Sequence, residues 1–155
     1  MKRGAWIAIF LCVLAGCRAP AGENGADAMR FETWNGQHAR SASAGSRVIH
    51  SEEQWVQLWR DIGQEPPRVW RRGEESAVGI FLGQRRSGGF AVDVLGVDQD
   101  GSVVRVSYRE KTPTGGVVAQ VLTSPWAVIA VPVASAEVQV IAQLSPRSPT
   151  PRQQK

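Results

Sequence analysis

The sequence predicts a mainly β domain with one N-terminal helix, an α+β chain of about six antiparallel strands closed as a small sandwich or half-barrel. Three observations carry this. One stretch, HSEEQWVQLWRDIG, has helical periodicity. Apolar or alternating runs follow it, separated by segments rich in Gly, Pro and Asp. No connection between those runs is long enough for a second helix, so parallel pairing is not expected.

The helix has a start, a face and a stop. Ser51 followed by Gln54 fits a capping box. Glu52 and Glu53 lie in the first turn, where negative charge suits the helix dipole. Trp55, Leu58, Trp59 and Ile62 fall at i, i+3, i+4 and i+7 and form one apolar stripe. Gly63 suits a C-terminal cap, and Pro66 and Pro67 prevent resumption.

The strands come next. Ala77–Leu82 is a nearly continuous apolar run. Phe90, Val92 and Val94 alternate with Ala91, Asp93 and Leu95, and Val104, Val106 and Tyr108 alternate with Arg105, Ser107 and Arg109. Val117–Leu122, Trp126–Val131 and Glu137–Ala142 complete the set. Asp98-Gln99-Asp100-Gly101 and Pro113-Thr114-Gly115-Gly116 supply turn residues between them.

GQRRSGGF, residues 83–90, is longer and more charged than a hairpin turn requires. Gly88 and Gly89 permit positive φ and close backbone approach. Arg85 and Arg86 offer planar donors suited to carboxylates. Pro125 and Trp126 form a second loop with a rigid aromatic. One reading joins Arg85, Arg86, Ser87, Gly88, Gly89, Phe90, Pro125 and Trp126 into a patch that docks a protein partner. The other makes the glycines a bulge or wide turn, the arginines solvated surface and Trp126 a cap on the core.

The ends differ from the middle. MKRGAWIAIFLCVLAGC has a positive start, a short apolar core and a Leu-Ala-Gly-Cys ending that resembles the bacterial lipobox. Residues 1–16 read as a signal peptide, and Cys17 as the lipidated residue of the mature chain. Each buried acyl CH₂ contributes about 0.8 kcal/mol, so two or three chains anchor stably. The expected location is the cell envelope, outside the cytoplasm. Arg18, where an aspartate would resemble an inner-membrane retention signal, favours the outer membrane where the cell has one. Residues 17–45 read as a flexible spacer, although Phe31 and Trp34 could dock as an added strand. Residues 46–143 read as the folded domain, and 144–155 as a Pro-rich disordered tail.

The net charge is +4, but residues 46–143 hold ten Lys/Arg against eleven Asp/Glu. The basic excess lies in the ends, which argues against a nucleic-acid-binding domain. Both cysteines, Cys12 and Cys17, precede the domain, so no disulfide framework or thiolate metal site is expected in it. His38 and His50 lie beside no candidate nucleophile. Ser87 is not in a G-x-S-x-G elbow, and no Walker, dinucleotide or H-E-x-x-H motif occurs. The expectation is a non-enzyme with no catalytic residue, no metal and no small-molecule cofactor.

Three stretches, HSEEQWVQLW, AVGIFLGQRRSGGFAVDV and VSYREKTPTGGVVAQVLTSPWAVIAVP, together resemble the PrcB family over roughly residues 48–142. That family is named for a lipoprotein subunit of a bacterial surface protease complex. Its loop pattern corresponds to Gly83, Arg85, Ser87, Gly88, Gly89 and Phe90. Its later pattern corresponds to Thr123, Ser124, Pro125, Trp126, Val131 and Pro132. The resemblance implies a non-catalytic accessory role beside a protease. The SGGF and Pro-Trp pieces also resemble, over short matches, chagasin-like protease inhibitors that wedge loops into an active site. A cell-envelope scaffold without a protease is the third reading.

Overall fold

The computed structural model describes residues 27–40, 43–113 and 119–144. The expected signal peptide, the expected lipidation at Cys17, the start of the expected spacer, residues 114–118 of the expected turn and strand, and the tail from 145 onward lie outside the described residues.

Eight strands and one helix occur among the described residues: β1 Asp27–Ala28, β2 Glu32–Gly36, β3 Gly45–Ile49, α1 Glu52–Ile62, β4 Ser76–Phe81, β5 Ala91–Asp100, β6 Val103–Lys111, β7 Trp126–Val131 and β8 Glu137–Gln143. They form two four-stranded sheets, ordered β1-β5-β6-β8 and β2-β7-β4-β3. The sheets face each other as an open sandwich, not a half-barrel. The helix covers the outer face of the second sheet.

The helix forms where its pattern places it. The Ser51 hydroxyl accepts from Gln54 N–H, and Gly63 ends the helix at φ 86°. The Gln54 side chain reaches back to accept from His50 N–H at 2.8 Å. The helix is not N-terminal in the domain, because β1, β2 and β3 precede it.

β4 and β7 are buried along their whole length. Successive strand residues point to opposite faces, so a run without polar positions needs cover on both sides. Ala77, Phe81, Trp126, Val128 and Ala130 pack with Trp55, Leu58 and Trp59 of α1. Val78, Ile80, Ala127, Ile129 and Val131 pack with Val97, Val104 and Val106 of the other sheet. The second sheet is therefore the middle of three layers. Gly79 sits under the helix, where an added Cβ would lie 2.7 Å from Leu58 Cδ1.

Four strand expectations change. The spacer expected over 17–45 contributes β1, β2 and the first residue of β3, so the folded unit begins before Ser46. β2 pairs with β7 and β3 with β4, and Trp34 packs against the aromatic cluster. These are edge strands with few large apolar residues, so their pattern reads as linker. The run expected over 117–122 forms no strand over 119–122, which carry no regular structure, and 117–118 lie outside the described residues. Pairing is also not wholly antiparallel, because β8 runs parallel to β6. The crossover needs no helix, because β7, in the opposite sheet, makes the return. Finally, β5 and β6 pair with a register shift between Val94 and Gly96. That bulge brings Val92 and Val94 onto the same core-facing side as Val97.

Candidate protein-docking site

Three segments meet at one end of the sandwich. β4 runs into residues 82–90, β7 is preceded by residues 119–125, and β2 runs into residues 37–39. Leu82 N–H donates to Pro125 C=O at 2.9 Å. Arg85 and Thr123 exchange backbone bonds, Arg85 N–H to Thr123 C=O at 2.8 Å and the return at 2.9 Å. Gly88 N–H donates to Ala119 C=O at 2.9 Å, and Ser124 N–H to Gln37 C=O at 2.8 Å. The buried Thr123 hydroxyl donates to Ser87 C=O at 3.1 Å. The two loops expected to form one patch are thus adjacent, joined by their backbones.

Their side chains divide into two groups. Arg85 is consumed by the fold. Its Nε and Nη2 donate to Glu110 at 3.0 and 2.9 Å, and its Nη1 donates to Leu82 C=O at 2.7 Å. Its guanidinium also lies 5.6 Å from the Phe90 ring centroid. The carboxylate that its planar fork matches is intramolecular, so Arg85 is not a free docking donor. Trp126 is 2 % exposed and Pro125 is buried. Trp126 packs edge-on against Trp59, ring centroids 5.6 Å apart. The expected surface anchor is a core residue, and the chagasin-like wedge loses its aromatic.

The glycines also divide. Gly89 has φ 87°, and a Cβ there would lie 3.1 Å from Pro113 Cγ. It needs to be glycine on both counts. At Gly88 an added Cβ would meet only ordinary contacts, the nearest at 3.8 Å. The bulge-or-turn reading therefore accounts for Gly89.

What remains open is a groove of about 470 Å³ beside this clamp. Gly88, Gly89, Phe90, Val121, Lys111 and His38 line it. Val121 is 46 % exposed and Leu122, beside it, 58 %. Arg86, Lys111 and His38 are exposed, and none of the three has an ion pair among the described residues. The groove thus offers an apolar floor with the Lys111 cation and the His38 imidazole at its rim. Lys111, Val121 and His38 were not expected here. Lys111 reaches it because the β5 bulge shifts the register so that Lys111 opposes Ala91. Val121 reaches it because residues 119–122 leave the sheets.

A second charged cluster lies at the opposite end of β7. Arg68 donates to both oxygens of Glu75 at 2.8 and 2.6 Å and to Glu32 at 2.8 Å. Arg71 N–H donates to Glu75 at 2.6 Å, and its guanidinium pairs with Glu32 at 2.8 Å. The Arg68 guanidinium lies 5.5 Å from the ring centroids of both Trp34 and Trp55. Each carboxylate has a cation, which describes a structural staple. Among the described residues no group of three or more His, Cys, Asp or Glu is placed to hold a metal.

The hydrogen bond from Arg68 holds the Glu32 carboxyl below its ordinary value of 4.5, and the one from Arg47 holds Asp61 below 3.8. A carboxyl depressed in the folded state adds stability above its unfolded value. That stability is lost as pH falls through the folded value. Urea midpoints should therefore change little down to the ordinary carboxyl range and fall below it. Glu32→Gln should lower the midpoint at neutral pH and flatten the acid limb. An acid limb unchanged in Glu32→Gln would assign the acid sensitivity to other groups.

Residues 76–132 match the PrcB C-terminal family model. The matched span, less than half of the chain, is similar to that family. The match runs from the start of β4 to just past β7, and so holds both loops of the clamp, β5 and β6. It is shorter than the expected 48–142. The helix and β8 lie outside it. The comparisons with curated proteins and with solved structures found no match. Within the matched span the loop residues have a folding rationale: Arg85 staples Glu110, Gly89 clears Pro113, and Thr123-x-Pro125-Trp126 ties the loop to the core.

Proposed function

We propose that this chain is a membrane-anchored, non-catalytic lipoprotein whose β domain binds a protein partner, as accessory subunit of a surface protease complex. Cys17 is the lipidated residue, and the domain sits outside the cytoplasm on a short tether. The PrcB C-terminal match supports the protease association, since the family takes its name from such a subunit. The observation that carries the docking reading is the groove. Its walls are held by backbone hydrogen bonds, its floor is apolar, and Lys111 supplies a cation at its rim that has no ion pair among the described residues. A partner segment with an apolar side chain beside a carboxylate fits that chemistry.

The test uses the full chain, because the sandwich includes residues before Ser46. The parent chain, Val121→Asp and Lys111→Glu are each used to retain envelope proteins from the same cell. Both substitutions are at exposed positions and should leave the melting temperature within a degree or two of the parent. The expected result is a partner retained by the parent and lost from both variants. A partner retained equally by all three would place binding outside the groove. A retained protein without protease activity would favour the envelope-scaffold reading.

A further inference from the structure

Each sheet has two edges, and three of the four are blunted. β1 is only two residues long, and the rest of the β5 edge beside it is interrupted by the bulge at Leu95. β3 carries Arg47, ion-paired to Asp61 on the helix. β2 carries Glu32, held by Arg68 and Arg71. Charges, bulges and shortness are the features that keep an edge from pairing with another chain. β8 has none of them in full. It is seven residues long, EVQVIAQ, with one charge, no lysine, no proline and no break in its register with β6. Among the described residues nothing pairs with its outer side.

We propose that β8 is a self-association edge, and that two copies of this chain join through antiparallel β8 strands about a two-fold axis. The strand's own sequence selects that occupant and that direction. Val138 and Val140 face the core, while Gln139 and Ile141 are exposed, Ile141 by 40 %. Core-facing residues must oppose core-facing residues, so the register can shift only in steps of two. Centring the pair on Val140 uses all seven residues. Glu137 then opposes Gln143 of the second copy, Val138 opposes Ala142, and Gln139 opposes Ile141. No like charges meet. A parallel pair in register would set Glu137 against Glu137. The two four-stranded sheets become one continuous sheet, an isologous contact that closes on itself. A membrane anchor would confine copies to a plane and raise their encounter rate.

The pairing of 139 with 141 gives a test by charge. Full-length chain is studied by sedimentation in density-matched detergent, with micelles in excess so that shared micelles do not mimic association. The parent should sediment as a dimer. Gln139→Lys combined with Ile141→Lys sets like charges opposite each other twice and should weaken the dimer by about tenfold or more. Gln139→Lys combined with Ile141→Glu sets opposite charges there and should restore it. Matching circular dichroism for all three separates lost association from lost folding. A monomeric parent overturns the proposal. So does a dimer that survives the two lysines, or one that the Lys/Glu pair fails to restore, including the case where β8 instead takes a strand from a different protein.

Discussion

Trp126→Ala is expected to destabilise the fold by about 3–5 kcal/mol, the range for removing a large buried aromatic. Trp126 is fully enclosed. One side meets Trp59 of the helix edge-on, and on another Gly36 leaves the room that the indole fills. A Cβ at Gly36 would lie 2.8 Å from the Trp126 ring. Truncation therefore opens a cavity between the helix and the middle sheet, bounded by rigid neighbours that cannot collapse into it. Trp126→Phe should cost clearly less. It keeps most of the ring, and the indole Nε1 it removes is buried without a hydrogen-bond partner, so no bond is lost. Equilibrium urea unfolding of both variants, read by far-UV circular dichroism, measures the difference. A Trp126→Ala chain with parental stability would show that the ring is not a core residue and would return it to the surface-anchor reading.

The same residue shows what the sequence could and could not convey. The helix was legible to the cap, because capping, periodicity and termination are local and all agree. β4, β5, β6, β7 and β8 were legible as strands. What their letters did not convey was which layers they join. AVGIFL and WAVIAV lack alternation because the helix covers one face and the other sheet covers the second. Trp126, preceded by proline in a loop-like context, reads equally as an exposed anchor or a core ring, and only the position of α1 decides. Arg85 is a similar case. Its carboxylate partner, Glu110, is 25 residues away, and nothing local marks the pair. The β5 phase slip is visible in hindsight, since Val92, Val94 and Val97 cannot share one face of a regular strand. β3 was hidden, and β2 showed only as the added strand that Trp34 could dock, because edge strands bury one side at most and ETWNG offers a single large apolar residue to do so. The parallel pairing of β8 follows from a strand, instead of a helix, making the crossover.

Glu75 is the residue whose loss should rival that of Trp126, for an electrostatic reason. Its side chain is 1 % exposed, and it accepts from Arg68 Nη1, Arg68 Nη2 and Arg71 N–H. Arg68 is itself only 19 % exposed and packed over two tryptophan rings. Removing one member of such a pair leaves the other charge poorly solvated, at a cost of about 3–5 kcal/mol when fully buried. Arg68 retains some water and its contact with Glu32, so Glu75→Gln should fall near the lower figure, about 3 kcal/mol. Arg68→Met in the same chain removes the stranded charge and leaves an apolar stem against Trp34 and Trp55. The double variant should thus be less destabilised than the sum of the two single variants, a coupling of about 1–3 kcal/mol. A double-mutant cycle in urea at pH 7 measures it. Additive effects would mean that Glu75 acts through the Arg71 backbone bond alone. A positive coupling would mean that the Arg68–Glu75 pair fixes the loop from Arg68 to Glu75, and with it the seat of the tryptophan cluster on β2.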